Sequence, residues 1–460
     1  MALMQINPRR RFLSASKARV LEGRQLIAHR VRDHFGELAL EELVVLRHDF
    51  PIWMRVDVQA EIARHFSQRS EHQFSGARLT SDSLDFRFPH LLEDGDGAIA
   101  VAPPVYSLID LGDGETAQTL LRGLWLDTQD DVPYVVMMNL NMDAYEQELR
   151  VEIAAPPGIE SRKFAQTLLE CLIRAGDDAT THRGHVLLAY HERGAASIDF
   201  QRQSLTPFDW DEIVLDDHTI DLFNRNTLGF IKQAQALSKL GFSSRKGILL
   251  YGPPGTGKTS LIRCLVSQLD SYTRFILTPA NLSHLTEIMQ AARKMLPALV
   301  VIEDVDLIAE DRERSGPGQA GLLNCLLNEM DGLSADSQIM FLLTTNRPEA
   351  LEPALASRPG RIDQVIEVAL PGERERRQLL ARFTGSVEIS EIVIARVSKK
   401  TDEASPAFLK ELVRRAVQVM LEANQCELEL LHFDGALQDM VQSGGAIGSR
   451  LLGGKAMGFT

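Results

Sequence analysis

The sequence predicts an α/β protein in which a parallel sheet carries a phosphate-binding loop, with a separate α/β domain ahead of it. Three observations point there. Residues 252–259 read Gly-Pro-Pro-Gly-Thr-Gly-Lys-Thr, between the apolar run Gly247–Tyr251 and the helical run Ser260–Val266. A second apolar run, Leu299–Ile302, closes on Glu303-Asp304, and a third, Ile339–Leu343, closes on Thr344-Thr345-Asn346. Buried parallel strands with polar tips, beside a glycine loop that opens a helix, place those tips at the edge where phosphates bind.

At 460 residues the chain is too long for one ordinary core, so two or three domains are expected. Hydrophobic residues at 44% and charged residues at 24% fit a soluble globular protein. A net charge of −14 argues against a protein that coats nucleic acid, because phosphate binding draws on a surplus of Lys and Arg. Cys171, Cys264, Cys325 and Cys426 lack Cys-x-x-Cys spacing and read as buried thiols in a reducing cytoplasm. The basic stretch Met1–Arg11 is followed by no apolar run, so no signal peptide is expected. No run reaches the ~18–20 apolar residues that span a bilayer, and a cytoplasmic protein without a membrane partner is expected.

The elements follow in order. Residues 1–205 form the N-terminal α/β domain, opening with a helical pattern over roughly 16–48. Strands are expected at Ile99–Val105, Leu120–Leu126, Val132–Asn139 and Leu149–Ala154, then a helix over Ser161–Arg174 and a strand at His185–Tyr190. Trp53 and Trp125 read as core or interface aromatics, and the acids at Asp94–Asp96, Asp110–Glu115 and Asp130-Asp131 as solvated loops. The segment holds no nucleophile motif or His-Glu-x-x-His site, so a client-binding or partner-binding role is expected of it. A helix over Thr219–Leu240 stops at Gly241 and leads into the large core, 206–370. Pro371-Gly372 opens a helical piece, 371–441, and 442–460 is a glycine-rich tail expected to be mobile.

The glycine loop has a mechanism. Gly252, Pro253, Pro254, Gly255, Thr256 and Gly257 turn the backbone so that N–H groups converge on phosphates at the helix N-terminus, which continues into Ser260. Lys258 should reach the β- and γ-phosphates, and the Thr259 hydroxyl should bind Mg²⁺. Of the pair Glu303 and Asp304, one carboxylate holds the metal's water shell and the other polarises the attacking water. Asp306 adds a third acid. The Asn346 amide, at its strand tip, can hydrogen-bond the γ-phosphate and the water. Arg358 and Arg361 in Ser-Arg-Pro-Gly-Arg suit phosphate recognition, either of their own nucleotide or of a neighbouring subunit's. Ser405-Pro406 begins the last clear helix, whose start, at Ala407, can approach the base or ribose.

Together, GPPGTGKT at 252–259, VVIEDVD at 300–306, LLNEMDGL at 326–333 and TTNRPEALEPALASRPGRID at 344–363 resemble an AAA+ ATPase over about 220–425. The resemblance implies a five-stranded parallel sheet flanked by helices, a helical lid, and ATP with Mg²⁺ as ligands. It makes Lys258 and Thr259 the Walker A residues, and Glu303 and Asp304 the Walker B pair, with Glu303 beside Thr259 at the metal. Asn346 becomes sensor 1, and Arg358 and Arg361 become arginine fingers. Glu before Asp, and Ser405-Pro406-Ala407 at the lid, are similar to the branch holding the Rieske-protein translocase of the mitochondrial inner membrane. The stretch Thr278–Ala292 lacks the aromatic-hydrophobic-glycine loop of unfolding motors; His284 and Leu285 are the substitutes on offer, and 310–318 is a candidate second pore loop.

The leading expectation is an ATPase ring, a homo-hexamer, that remodels a protein client held by the N-terminal domain. A second reading is a slow ATP-gated switch or scaffold that activates a separate protease or nuclease. Gly458-Phe459-Thr460 gives it a candidate docking tail. A third, which the acidic charge disfavours, is a loader or remodeller of nucleic acid.

Overall fold

Two bodies divide the chain: Met1–Arg183 with Ala189–Gln203, and Gly184–Leu188 with Ser204–Thr460. The computed structural model describes residues 25–79, 86–92, 99–142, 147–190, 197–307, 321–332, 337–349 and 361–442. Asp94–Asp96, Arg358, the stretch 310–318 and residues 443–460 of the glycine-rich tail lie outside the described residues.

In the first body, six antiparallel strands run in the order β1-β8-β7-β6-β2-β3: β1 (Val44–Pro51), β2 (Gln73–Leu79), β3 (Ile99–Ala102), β6 (Arg122–Gln129), β7 (Val132–Met142) and β8 (Gln147–Ala155). Alternation sends Leu124, Leu126, Val135 and Met137 to one face, where helix α1 (Ile27–Phe35) covers them with Ile27 and Val31. The opposite face carries Trp125 and Tyr134 against α2 (Arg55–Ser67) and α3 (Ile159–Asp178); Phe66 stacks on Trp125 with 5.6 Å between ring centroids. Both Trp53 and Trp125 are buried, as a core reading requires. A hairpin of β4 (Tyr106–Gly112) and β5 (Glu115–Leu120) belongs to the same body, with β10 (Asp199–Arg202) beside β4.

Two sequence expectations change here. The helical pattern over 16–48 gives, in its described part, α1 and a single 3-10 turn at Leu40–Glu42; Val44–Pro51 is instead paired with β8 along its whole length. Long-range pairing overrides a three- and four-residue spacing that an eight-residue strand can also satisfy. The run Leu120–Leu126 breaks at Leu121 into two strands. The acids have a conformational reason. Asp113, Asp130 and Asp131 take φ of 56°, 48° and 63° in the β4–β5 and β6–β7 turns, the left-handed region that Asp tolerates.

The second body centres on a parallel sheet in the order β15-β11-β14-β13-β12: β11 (Lys246–Tyr251), β12 (Thr273–Leu277), β13 (Ala298–Ile302), β14 (Ile339–Thr345) and β15 (Gln364–Glu367). The five expected strands gain a sixth. Val186–Leu188, the start of β9 (Val186–Tyr190), lies parallel to β12. Arg274 fixes it: its backbone N donates to His185 O at 2.9 Å and its guanidinium to Gly184 O at 2.5 Å. β11, β13 and β14 are buried on both faces, as continuous apolar runs demand. The helix expected over 219–240 is α4 (Asp217–Asn224) and α5 (Phe230–Lys239), joined by a π turn at Arg225–Gly229 and stopped by Gly241 at φ 83°. Helices α9 (Glu373–Phe383), α10 (Glu391–Lys400), α11 (Pro406–Glu422) and α12 (Leu430–Gln442) pack a lid core around Leu380, Phe408, Leu412 and Phe433. No described helix is long and apolar enough to cross a membrane.

Candidate functional site

The glycine loop leaves β11 and enters helix α6 (Lys258–Ser267) through three positive-φ glycines: Gly252 at 151°, Gly255 at 77° and Gly257 at 110°. A Cβ on Gly252 would lie 2.2 Å from the Val368 carbonyl oxygen, and one on Gly255 2.8 Å from the Ala407 Cβ. Above Gly257 a Cβ would meet nothing within 4 Å, so the helix start is open to a ligand. Thr256 is buried and ties the loop to itself by donating to Pro253 O at 3.0 Å.

Lys258 is buried, and its ammonium donates to the carbonyls of Gly252 at 2.7 Å and Pro253 at 2.9 Å. Burial pushes its pKa down, while the Asp304 and Asp306 carboxylates oppose the shift. A cation held by neutral carbonyls over an open helix N-terminus is suited to an anion. One residue on, the Thr259 hydroxyl donates to Glu303 Oε1 at 3.0 Å.

The tips of β13 and β14 are clasped together. The Thr344 hydroxyl accepts from Asp304 N at 3.0 Å, and the Asn346 amide donates to Asp304 Oδ1 at 3.1 Å. Asp304 holds φ 51°, a strained conformation for a non-glycine residue, at the turn out of its strand. The two acids are thereby split: Glu303 faces the Thr259 hydroxyl and Asp304 faces the Asn346 amide. Thr259, Glu303 and Asp304 offer only oxygen donors, which fits a hard cation such as Mg²⁺.

A cavity of about 770 Å³ opens on these groups, in the range of small-molecule sites. Pro254–Ser260, Asp304 and Asn346 line its polar end. Phe208, Ile213, Val214, Leu215, Leu379 and Phe383 supply apolar walls, with Lys410 also on the lining. Sequence reasoning missed that apolar lining. The run Ile213-Val214-Leu215 was its signal, masked by acids on both sides. Ala407, from the lid, does reach the loop: its backbone N donates to Gly255 O at 3.3 Å.

The structure brings together Lys258, Thr259, Ser260, Asp304, Asn346 and Ala407 around this cavity, with Glu303 behind them, bonded to the Thr259 hydroxyl. It does not bring Arg361 there. Arg361 is 5% exposed and ion-paired with Asp331 at the end of α8 (Gly321–Asp331), near the start of β11. That pairing engages the guanidinium expected as a finger within its own chain. Leu285 is 1% exposed and packed in the core at the start of α7 (Leu285–Lys294), so it is not a projecting pore residue; His284 is half-buried. Of the cysteines, Cys264 is buried whereas Cys426 is exposed; all four are free thiols.

Residues 248–370 match the model of the ATPase family associated with various cellular activities (AAA). The chain is similar, at 32% identity over 210 residues, to the cell division cycle protein 48 homolog of Archaeoglobus fulgidus, covering 44% of this chain and 28% of that protein. It is 32% identical over 223 residues to the ATP-dependent zinc metalloprotease FtsH of Syntrophotalea carbinolica, covering 45% and 34%. It is 31% identical over 225 residues to the proteasome-activating nucleotidase of Methanothermobacter thermautotrophicus, covering 46% and 54%. The chain thus spans about half or less of the length of these curated relatives.

Proposed function

We propose, from the premise that residues 248–370 form an AAA ATPase domain, that this protein binds ATP with Mg²⁺ in the cavity beside Lys258 and hydrolyses it. The work is done in a homo-oligomeric ring, a hexamer, and remodels or disassembles a protein client held by the N-terminal domain, 1–205. The observation that carries the reading is the division of the two acids at one strand tip, Glu303 to Thr259 and Asp304 to Asn346. The relatives support a protein client, since they include a metalloprotease and a proteasome-activating nucleotidase.

In this reading Lys258 leaves its carbonyl partners for the β- and γ-phosphates, and the α6 N-terminus meets the phosphate charge. Thr259 and Glu303 would hold Mg²⁺, which when bound would offset charge on the phosphate oxygens. Asp304 accepts the proton of the attacking water, and Asn346 orients that water. The apolar walls take the base, and Ala407 brings the lid to the loop. Arg358 serves as the finger for a neighbouring subunit. Glu before Asp, and Ser405-Pro406-Ala407, support placement in the branch that holds the Rieske-protein translocase.

The test is ATP turnover by purified protein. Lys258→Ala should abolish nucleotide binding and turnover. Asp304→Asn should bind ATP while losing at least 100-fold in kcat, and full activity in Asp304→Asn would sink the assignment. A second reading, a slow ATP-gated switch for a separate effector, is favoured by the base itself. Asp304 is shorter than Glu by roughly 1.5 Å, and catalysis is sensitive to misplacement of that size. Turnover far below one per minute with ATP-dependent assembly would select it.

A further inference from the structure

Asp306 is the one acid of the strand tip that the proposed reaction leaves unused. It is 5% exposed. Its Oδ1 accepts two hydrogen bonds, both from the tip of β14: the Thr345 hydroxyl at 2.9 Å and Asn346 N at 3.2 Å. The Thr345 oxygen in turn accepts from Arg347 N at 2.9 Å. The single hydroxyl proton of Thr345 is therefore committed to Asp306. A carboxylate cannot present a donor, so it forces that orientation; an amide in its place could turn its NH₂ inward. Removing a carboxylate from water is costly, and a neutral acceptor would satisfy one backbone N–H with less desolvation. The charge is thus spent at the backbone of the very residue whose amide meets Asp304 at 3.1 Å.

We infer that Asp306 is a positioning residue for ATP hydrolysis: through Thr345 and the backbone N of Asn346 it sets the Asn346 amide against Asp304. It binds neither metal nor water and transfers no proton. The inference rests on the reading of this site as an ATPase and adds two residues to it, Asp306 and Thr345.

The experiment is a double-mutant cycle in the full chain, reading kcat and KM for ATP together with the affinity for a fluorescent ATP analogue. Asp306→Ala and Thr345→Val should each lower kcat tenfold or more, with KM and analogue affinity within twofold of the parent protein. Thr345→Ser, which restores the hydroxyl, should return kcat to within threefold. Asn346→Ala should lower kcat as well, and adding Asp306→Ala to it should cost no more than a further twofold, because the group acted upon is already gone. Multiplicative losses in the double variant, or unchanged kcat in Thr345→Val, would overturn the inference. Should Asp306→Ala fail to fold, Thr345→Val with Asn346→Ala completes the same cycle. A parent protein that binds the analogue without turning ATP over would overturn the ATPase reading itself, whereas turnover with multiplicative losses overturns only the role of Asp306.

Discussion

His182 lies 2% exposed in the first body, beside the rings of Trp53 and Phe200 at 6.5 and 6.1 Å. Burial pushes its pKa down from 6.5 to about 4, against the pull of Asp199 and Asp57. In the unfolded chain the imidazole gains its proton as pH drops through about 6.5; in the folded protein it does so only near 4. Its contribution is therefore complete above pH 6.5 and is lost as pH falls to 4, by at most about 3 kcal/mol. Replacing it by His182→Asn should flatten the dependence of the urea midpoint on pH across that window, and an unchanged slope would refute the assignment. Arg361 makes a stability prediction of the same scale. Its guanidinium is buried while Asp331 is half exposed, so Arg361→Ala should destabilise the second body by about 2 kcal/mol, read as a fall in Tm. A group that served only a neighbouring subunit would leave Tm alone.

The start of α11 is where two elements hold one another. Ser405 is its N-cap, accepting from Phe408 N at 3.2 Å, and Pro406 stands at its first position. Two residues on, Ala407 meets the Gly255 carbonyl. Ser405→Ala should cost about 1 kcal/mol and loosen the lid from the loop. Gly255→Val should do more, since a Cβ there strikes Ala407 at φ 77°. Both should weaken ATP binding more than they lower Tm; titration calorimetry beside thermal melts checks this. This element was legible in the sequence because its signals are local: a Ser-Pro cap, then apolar residues at helical spacing. The same holds for β11, β13 and β14, whose apolar runs end in polar tips. What escaped is non-local. The Val44–Pro51 strand is fixed by β8, a hundred residues on. The apolar cavity wall is assembled from residues 208–215 and the lid. The burial of Arg361 depends on Asp331, a partner that no spacing rule names.

For the whole molecule, the proposed shared site predicts behaviour that only mixtures reveal. Arg358→Ala subunits, which keep their own loop and acids, should be inactive alone yet restore turnover when mixed with Lys258→Ala subunits, whose Arg358 is intact. Mixtures no more active than their components would confine the chemistry to single chains. Equilibrium sedimentation with ATP should show the ring on which that rescue depends.

The sixth strand of the ATPase sheet carries a further consequence. Gly184–Leu188 belongs to the second body, but Ala189–Gln203 returns to the first before the chain departs for good at Ser204. The polypeptide crosses between the bodies three times, not once. A gene cut at any single point would therefore strand a piece of one body in the other. Each body can be expressed whole only if the segments 184–188 and 189–203 are reassigned together with it.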